Sequence, residues 1–299
     1  MRAYYSDSFL LPLPPGHRFP MVKYARLRSR VEAELPAGAV QLELAPAASD
    51  EEILRAHDAG WLHAVAEGTL SPRQQREIGF PWSPQMVERS RRSAGATVAA
   101  CRAALDDGTA VNLAGGTHHA FRGHGAGYCV FNDVAIAAAA IQAEAGRPAR
   151  RVLVIDCDVH QGDGTASILS GDESVFTFSI HARDNYPFIK QASDLDIALD
   201  DGTGDAEYLE RLDRGLDHAF AAARAGLAIF LAGADPYAGD RLGRLSLSLE
   251  GLAQRDRLVF DRCARAGLPV AACMAGGYAR DIDETVDIHL RTVRIAAGC

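Results

Sequence analysis

The chain has 299 residues, 48% of them hydrophobic and 23% charged, a balance typical of a globular protein with a large core. Its formal net charge of -8 argues against a nucleic-acid binder that works through a basic surface. No apolar run approaches the ~20 residues that span a bilayer, and the opening stretch MRAYYSDSFLLPLPPGHRF does not have the pattern of a signal peptide, so we expect a soluble, cytoplasmic chain.

Short β-branched runs alternate with helical patterns along most of the chain. The predicted strands cover residues 40–44, 110–113, 151–155, 174–180, 227–231 and 269–274. Several of them, such as VLVI and LAIFLA, are continuous apolar runs rather than alternating ones. This pattern indicates a parallel sheet that is covered on both faces.

Predicted helices fill the intervals between these strands. Ser49 and Glu52 form a capping box that opens a helix to about residue 67, and Ser83 with Pro84 opens another to about residue 105. Further helices are predicted at residues 132–145, 206–224, 251–266 and 282–296. No linker or repeat divides the chain, so we predict one doubly wound α/β domain over residues 1–299. In such sheets the ligand binds outside the carboxyl ends of the strands.

Polar residues collect directly after the predicted strand at 151–155. Asp156, Asp158, His160 and Asp163 follow it in the segment DCDVHQGDG. A spacing of two places the first three on one side of an extended chain. Two carboxylates and an imidazole that converge there indicate a metal site, and a capped strand end with solvated acids is the alternative.

Asp235 follows the strand LAIFLAG and is a candidate third metal ligand. A strand-terminal aspartate alone is more often a helix cap, but Asp158 and His160 give it two partners. Three protein ligands with an open fourth position are typical of catalytic zinc. Zinc bound in this way lowers the pKa of water toward ~7 and polarises a carbonyl group.

The segment GGTHHA places His118 and His119 after the predicted strand at 110–113. Adjacent residues on an extended segment point apart, so we expect the two imidazoles to share one metal only if the chain turns. One can act as a general base and the other as an acid or electrostatic partner. Each then needs an orienting carboxylate, for which Asp156 and Asp163 are available. Two hydrogen-bonded core histidines are the alternative.

Two glycine-containing segments complete the set of candidates. RGHGAGYCVFND does not match a phosphate-binding loop, and its glycines can approach a ligand closely, which predicts a channel wall with Tyr128. His124 in this segment is expected to be solvated or structural. Tyr278 follows two glycines in MAGGYAR, where a phenol can donate a hydrogen bond to a developing oxyanion. A simple turn residue is the alternative for Tyr278.

Together these segments resemble the histone deacetylase family of the arginase/deacetylase superfamily, and among its members most resemble class IV enzymes and their bacterial relatives. The resemblance runs from PLPPGHRFPMVKY to GGYAR and rests on the ordered motifs PPGHRFP, HQGDG and AGDRLGRLSLS. It implies a single-domain arginase/deacetylase-type fold with a mainly parallel sheet flanked by helices on both faces. It also implies a zinc-dependent deacylase that hydrolyses the amide of N-acyl-lysine to free amine and carboxylate.

The resemblance further implies roles for individual residues. Zinc, one ion per chain, is bound by Asp158, His160 and Asp235. The tandem catalytic histidines are His118, paired with Asp156, and His119, paired with Asp163, while Tyr278 polarises the substrate carbonyl. Gly127 and Tyr128 grip the acyl-lysine chain. A structural potassium ion is implied at Asp156, Asp158, His160, Ser179 and Ile180, partly through backbone carbonyls.

Departures from the family pattern leave the substrate open. Gln161 stands where many relatives have a second histidine, and the segment GFPWSPQ has no obvious aspartate to clamp a peptide backbone. Acylated polyamines or other small acylated amines therefore compete with acyl-lysine as substrates, and long acyl groups compete with acetyl. Fe²⁺ competes with Zn²⁺, since an Asp/His set accepts several divalent ions. The sequence does not indicate an oligomeric state.

Two further hypotheses concern the type of site. An arginase-like site with two manganese ions needs ligands in the order D-x-H-x-D, whereas this chain has D-x-D-x-H. An inactive acyl-lysine-binding module predicts a gap among the ligands, histidines and tyrosine, and none is missing. Both hypotheses are disfavoured.

Overall fold

A computed structural model describes residues 1–144 and 150–299, which contain eight β-strands and ten α-helices. The strands are β1 (Arg2–Tyr5), β2 (Gln41–Leu44), β3 (Thr109–Asn112), β4 (Val152–Asp156), β5 (Val175–Ala182), β6 (Leu195–Leu199), β7 (Leu227–Leu231) and β8 (Val270–Cys273). The helices are α1 (Val22–Glu34), α2 (Asp50–Leu54), α3 (Ala59–Glu67), α4 (Pro72–Ile78), α5 (Pro84–Asp107), α6 (Asp133–Ala143), α7 (Asp163–Leu169), α8 (Asp205–Ala223), α9 (Leu249–Ala266) and α10 (Ile282–Ala296). Within these residues, no helix has the length and apolar character needed to cross a membrane.

The strands form one sheet in the order β2-β1-β3-β8-β7-β4-β5-β6, and every strand pairing within the described residues is parallel. Alternate residues of β4 enter opposite hydrophobic cores: Val152 and Val154 face one core, and Leu153 and Ile155 face the other. Helices α5 and α6 contribute to the first core, and α1, α8, α9 and α10 contribute to the second. The doubly wound α/β domain predicted from the sequence is therefore confirmed.

The predicted central elements match the structure closely, whereas several peripheral ones were missed. Each of the six predicted strands overlaps an observed strand, with ends that differ by up to two residues. The prediction missed β1 and β6, which are short, lie outside the centre of the sheet and do not read as continuous apolar runs. It also missed helices α1, α4 and α7. The predicted end of the helix 132–145 lies outside the described residues.

The single helix predicted from Ser49 to residue 67 is wrong, because the chain forms two helices there. The capping box of Ser49 and Glu52 is present, but α2 ends at Leu54 and α3 begins at Ala59. The break coincides with a tertiary contact, since the backbone N–H of Asp58 donates to the carbonyl of Arg122 at 2.9 Å. A turn set by so distant a residue leaves no local sequence signal.

The buried imidazole of His57 holds this turn. Nδ1 of His57 lies 3.2 Å from the carbonyl oxygen of Arg122, and Nε2 accepts a hydrogen bond from the backbone N–H of Asn132 at 2.8 Å. Because Nε2 is the acceptor, Nδ1 carries the proton and the ring is neutral. Burial lowers the pKa of His57 to about 4, since the charged ring would lose its hydration.

We expect His57 to make folding sensitive to acid. Unfolded His57 takes up a proton near pH 6.5, whereas the folded ring resists protonation down to about pH 4. Its stabilisation is therefore complete above about pH 6.5 and is lost as the pH falls toward about 4. The variant His57→Gln should flatten this dependence by up to about 3 kcal/mol in the free energy of unfolding, measured by urea denaturation across this range. The control is His63→Gln, at an exposed position of α3, and identical pH profiles for both variants would contradict the assignment.

Candidate active site and metal centre

The candidate residues meet because four adjacent central strands end at one edge of the sheet. Strands β3, β8, β7 and β4 are neighbours in this order, and their carboxyl ends lead into the segments that carry the predicted site residues. In parallel sheets this edge is where ligands bind. A cavity of about 570 Å³ opens there, and its lining includes His118, His119, Asp158, His160, Asp235 and Tyr278.

Asp158, His160 and Asp235 form a buried cluster with the geometry of a metal site. Each offers one ligating atom, and these atoms lie within 4.8 Å of one another. Nδ1 of His160 is 2.9 Å from Oδ1 of Asp158 and 3.3 Å from Oδ2 of Asp235. Across residues 1–144 and 150–299, no other three His, Cys, Asp or Glu side chains come this close together.

The charges of this cluster favour a bound cation. Oδ2 of Asp235 is buried and accepts no hydrogen bond from the described residues. Burial and the negative charge of Asp158 raise the pKa of Asp235 to about 7. Burial opposes ionisation of Asp158 as well, but the charges of His118 and His160 and a hydrogen bond from His160 lower its pKa. Two carboxylates and one imidazole fit Zn²⁺ or a similar divalent ion, which would compensate the buried charge.

Two glycines allow the backbone to approach these carboxylates closely. The N–H of Gly276 donates to Oδ2 of Asp158 at 2.8 Å, and a Cβ atom on Gly276 would lie 1.9 Å from Oδ2 of Asp235. A Cβ atom on Gly233 would lie 2.6 Å from Oδ2 of Asp158. Both positions therefore require glycine if the carboxylates are to keep their places.

His118 and His119 lie side by side, contrary to the expectation that adjacent residues on an extended chain point apart. Both occupy a turn, and their ring centroids are 4.2 Å apart. Nδ1 of His118 is 2.7 Å from Oδ2 of Asp156, and Nδ1 of His119 is 2.7 Å from Oδ1 of Asp163. The structure thus forms both predicted His–Asp pairs.

The two imidazoles have different environments. Burial lowers the pKa of His118, but the charges of Asp156 and Asp158 outweigh it and raise the pKa to about 9. Burial and the neighbouring charge of His118 lower the pKa of His119 to about 4, despite its hydrogen bond with Asp163. His119 is therefore the neutral ring of the pair and the one able to accept a proton.

The start of α6 holds the turn of the tandem histidines, a contribution that the sequence analysis missed. Nδ2 of Asn132 donates to the carbonyl of Ala120 at 3.0 Å and lies 3.3 Å from that of His118. The carboxylate of Asp133 accepts hydrogen bonds from the backbone N–H groups of Gly116 and Thr117 at 2.9 and 2.7 Å. The dipeptide Asn-Asp before an apolar helix was the available signal, since it is typical of an N-cap.

Tyr278 is 8% exposed and borders the cavity beside the metal-site cluster. Burial raises its pKa well above the usual value, so the phenol keeps its proton and can donate a hydrogen bond. Asp240, also missed by the sequence analysis, accepts a hydrogen bond from the N–H of Tyr278 at 2.6 Å. Arg241 Nε donates to the carbonyl of Tyr278 at 2.9 Å, and these contacts attach the Tyr278 loop to the loop after Asp235.

Aromatic rings line the passage to the cluster. Gly127 and Tyr128 border the cavity as predicted, and a Cβ atom on Gly127 would lie 2.7 Å from the ring of His119. Tyr128 has a positive φ of 67°, and its N–H donates to the carbonyl of Ile78 at 2.7 Å. Tyr186, which the sequence analysis missed, also contacts His119, with ring centroids 4.9 Å apart.

The remaining predicted residues lie outside the cavity. His124 is exposed and stacks on Phe121, in agreement with its expected solvated or structural role. Ser179 lies opposite Asp156 in the sheet register, and its hydroxyl is 2.9 Å from Nδ1 of His181. The potassium site that includes Ser179 and Ile180 stays a prediction.

A parallel α/β sheet with a cavity at the carboxyl ends of its central strands has the architecture of a ligand-binding α/β protein. The chain belongs to the histone deacetylase family, whose histone deacetylase domain matches residues 17–293. The members of this family that it resembles are hydrolases, with names that include deacetylase and amidohydrolase. The family resemblance inferred from the sequence motifs is therefore confirmed.

Two individual relatives and one solved structure are similar to the chain over most of its length. The chain is 43% identical to an uncharacterised protein of Picosynechococcus sp., over 95% of the chain and 94% of the relative. It is 30% identical to the histone deacetylase-like amidohydrolase of Pseudomonas aeruginosa, over 89% of the chain and 74% of the relative. The crystal structure of the HDA15 HD domain shares the fold, with a TM-score of 0.83 and 20% identity, over 100% of this chain and 91% of that one.

We expect metal binding to depend on the absence of a side chain at Gly276. The variant Gly276→Ala places a methyl group against Oδ2 of Asp235 and should weaken zinc affinity by about 10- to 100-fold. Chelator competition measures the affinity, and elemental analysis should give about one ion per wild-type chain. Gly60→Ala is the control, because a Cβ atom at Gly60 meets no other atom within 4 Å. Equal zinc affinity in the two variants would contradict the site, and two ions per chain would favour the arginase-like alternative.

Proposed function

We propose that the chain is a zinc-dependent deacylase that hydrolyses the amide of N-acyl-lysine to free lysine amine and carboxylate. One observation carries the proposal: a single cavity is bordered by the Asp158, His160 and Asp235 cluster, by the tandem histidines and by Tyr278. Each of the two histidines is paired with a buried aspartate behind it. Amide hydrolysis needs three groups within reach of one another: a group that polarises the carbonyl, a proton acceptor, and a hydrogen-bond donor to the oxyanion. Since none of these groups is missing, an inactive acyl-lysine-binding module is disfavoured.

Asp158, His160 and Asp235 would hold the metal in the proposed reaction. When bound, zinc acts as a Lewis acid that polarises the amide carbonyl and makes water more acidic. Gly276 and Gly233 keep the carboxylates in place through close backbone contact. The same donor set accepts Fe²⁺, so deacylase activity should be measured with each metal.

His119 is the proposed proton carrier. Its low pKa keeps His119 neutral at physiological pH. Asp163 fixes the ring through Nδ1, so Nε2 carries no proton and can accept one. His119 takes the proton of the attacking water and then delivers it to the leaving amine. His118, paired with Asp156, provides positive charge beside the developing oxyanion and assists the second proton transfer.

Tyr278 is the proposed hydrogen-bond donor to the oxyanion, and the aromatic passage positions the substrate. The phenol retains its proton in the buried site and donates a hydrogen bond to the carbonyl oxygen as negative charge develops there. Tyr128 and Tyr186 border the passage, where their rings can contact the aliphatic part of an acyl-lysine side chain. Such walls exclude water, which strengthens the electrostatic interactions inside.

The charges at the mouth of the cavity favour acyl-lysine over acylated polyamines. Arg76, Arg241 and Arg244 line the cavity together with the acids Glu77 and Asp184. Arg76 forms no ion pair with any described residue. Arg244 is paired with Asp201 at 3.2 Å, and Glu77 is paired with an arginine of its own helix at 2.7 Å. An acylated polyamine keeps at least one ammonium group and is repelled by this mouth, while an acyl-lysine side chain is neutral.

We expect the variant Tyr278→Phe to lower kcat on acetyl-lysine and longer acyl-lysine peptides by about 10²- to 10³-fold, because one oxyanion donor is removed. Zinc affinity should be unchanged, since Tyr278 is not one of the three clustered ligands. Steady-state kinetics and chelator competition measure the two quantities. Tyr237→Phe removes a phenol that contacts Glu284 outside the cavity and serves as the control. Unchanged turnover in Tyr278→Phe would remove this tyrosine from the mechanism.

We expect charge reversal at Arg76 to improve the use of cationic substrates. The variant Arg76→Glu should raise kcat/KM for N-acetylputrescine relative to an acetyl-lysine peptide by about tenfold at low salt, and less at high salt. Arg214→Glu makes the same charge change at an exposed site of α8 and should leave the ratio unaltered. A wild-type enzyme that prefers N-acetylputrescine would favour the polyamine alternative and contradict this specificity.

A further inference from the structure

We infer that Arg255, on α9, is a positioning residue that sets the separation of the two carboxylate-bearing segments of the metal site. The inference rests on the metal-dependent function proposed above. Arg255 is fully buried, and its Nη1 donates to the carbonyl of Gly233 at 2.5 Å and lies 3.3 Å from that of Cys157. Cys157 directly precedes Asp158, and Gly233 stands two residues before Asp235. One guanidinium group therefore connects the backbones of both ligand segments.

These contacts lie where the regular pairing of the two strands ends. The last paired residues of β4 and β7 are Asp156 and Leu231. Past that pair, the regular ladder gives way to single hydrogen bonds, from the N–H of Cys157 to the carbonyl of Leu231 at 3.1 Å and from the N–H of Val159 to Oδ1 of Asp235 at 2.9 Å, although the two carboxylates must share one ion. The planar guanidinium has several donors in a fixed geometry, so it can reinforce the connection between the segments where the ladder ends.

Further contacts hold the side chain of Arg255 in place. Its Nε donates to Oδ1 of Asp256 at 2.8 Å, and Thr292 of α10 donates through its hydroxyl to the other oxygen of Asp256 at 2.5 Å. The guanidinium carbon lies 5.8 Å from the centroid of the Phe230 ring in β7. A buried cation is costly unless it is paired and hydrogen-bonded, and here its pairing connects α9 and α10 to the edge that carries the cluster.

This role differs from that of the residues that face the cavity. Arg255 does not line the cavity, so it is not expected to contact substrate. It acts through Asp158 and Asp235, and its loss should change metal affinity rather than substrate selectivity. A purely structural arginine would lower stability equally with and without metal.

The test compares metal-free and zinc-loaded wild type, Arg255→Gln and Arg255→Lys. We expect Arg255→Gln to weaken zinc affinity by about 10- to 100-fold and to shrink the zinc-induced rise in Tm, with partial rescue by Arg255→Lys. Arg257→Gln, an exposed arginine of the same helix that pairs with Glu250, is the matched control. Chelator competition gives the affinity, and thermal unfolding gives the Tm shift.

Thr292→Val provides a second variant, because it removes the hydroxyl that orients Asp256 and leaves Arg255 in place. Thr292→Val should reduce zinc affinity by a smaller factor than Arg255→Gln does. If Arg255→Gln does not fold, the zinc affinity of Thr292→Val tests the inference in its place. Wild-type zinc affinity in Arg255→Gln, or in Thr292→Val where the former is not folded, would overturn the inference and leave the proposed function intact. Absence of zinc binding in wild type would overturn both.

Discussion

The structure depends on one electrostatic constraint: two carboxylates, Asp158 and Asp235, are buried against each other and a single imidazole. An unpaired buried charge costs several kcal/mol, so both groups need compensation. The backbone supplies part of it, since Gly276 N–H donates to Asp158 at 2.8 Å and Val159 N–H donates to Asp235 at 2.9 Å. Oδ2 of Asp235 accepts no hydrogen bond from the described residues and lies 3.3 Å from Nδ1 of His160, an arrangement that favours a bound cation.

The parallel topology makes this concentration of charge possible. Because parallel strands end at the same edge, residues as distant in the chain as His118 and Tyr278 reach one cavity from neighbouring strands β3 and β8. The helices on both faces bury the sheet, and the candidate site residues lie in the short segments that follow its strands. Close approach then depends on glycines, which stand where a Cβ atom would displace a carboxylate.

The features that could be predicted are those encoded by short sequence patterns. Continuous apolar runs identified β4 and β7, and polar residues placed directly after them identified Asp158, His160 and Asp235. The short strands β1 and β6 have the sequences RAYY and LDIAL, and neither is a continuous apolar run, which explains why both were missed. The histidine pair was found by sequence, but its turn was not, because Asn132 and Asp133 impose it from another segment.

The residues that sequence reasoning missed act through long-range contacts. Arg255 contacts the carbonyl of a residue 98 positions earlier in the chain. The sequence of its helix does not distinguish it from the other charged residues there. Tyr186 reaches His119 from the segment after β5, where no motif marks it. Burial and partner identity, rather than residue type, give these side chains their roles, and neither property is readable from a single sequence.

Anomalous diffraction from zinc-soaked crystals, recorded on both sides of the zinc absorption edge, tests the central claim most directly. The account predicts one strong peak bounded by the side chains of Asp158, His160 and Asp235, inside the cavity that Tyr278 borders. A cavity without a peak, or zinc bound only at other side chains, would contradict it.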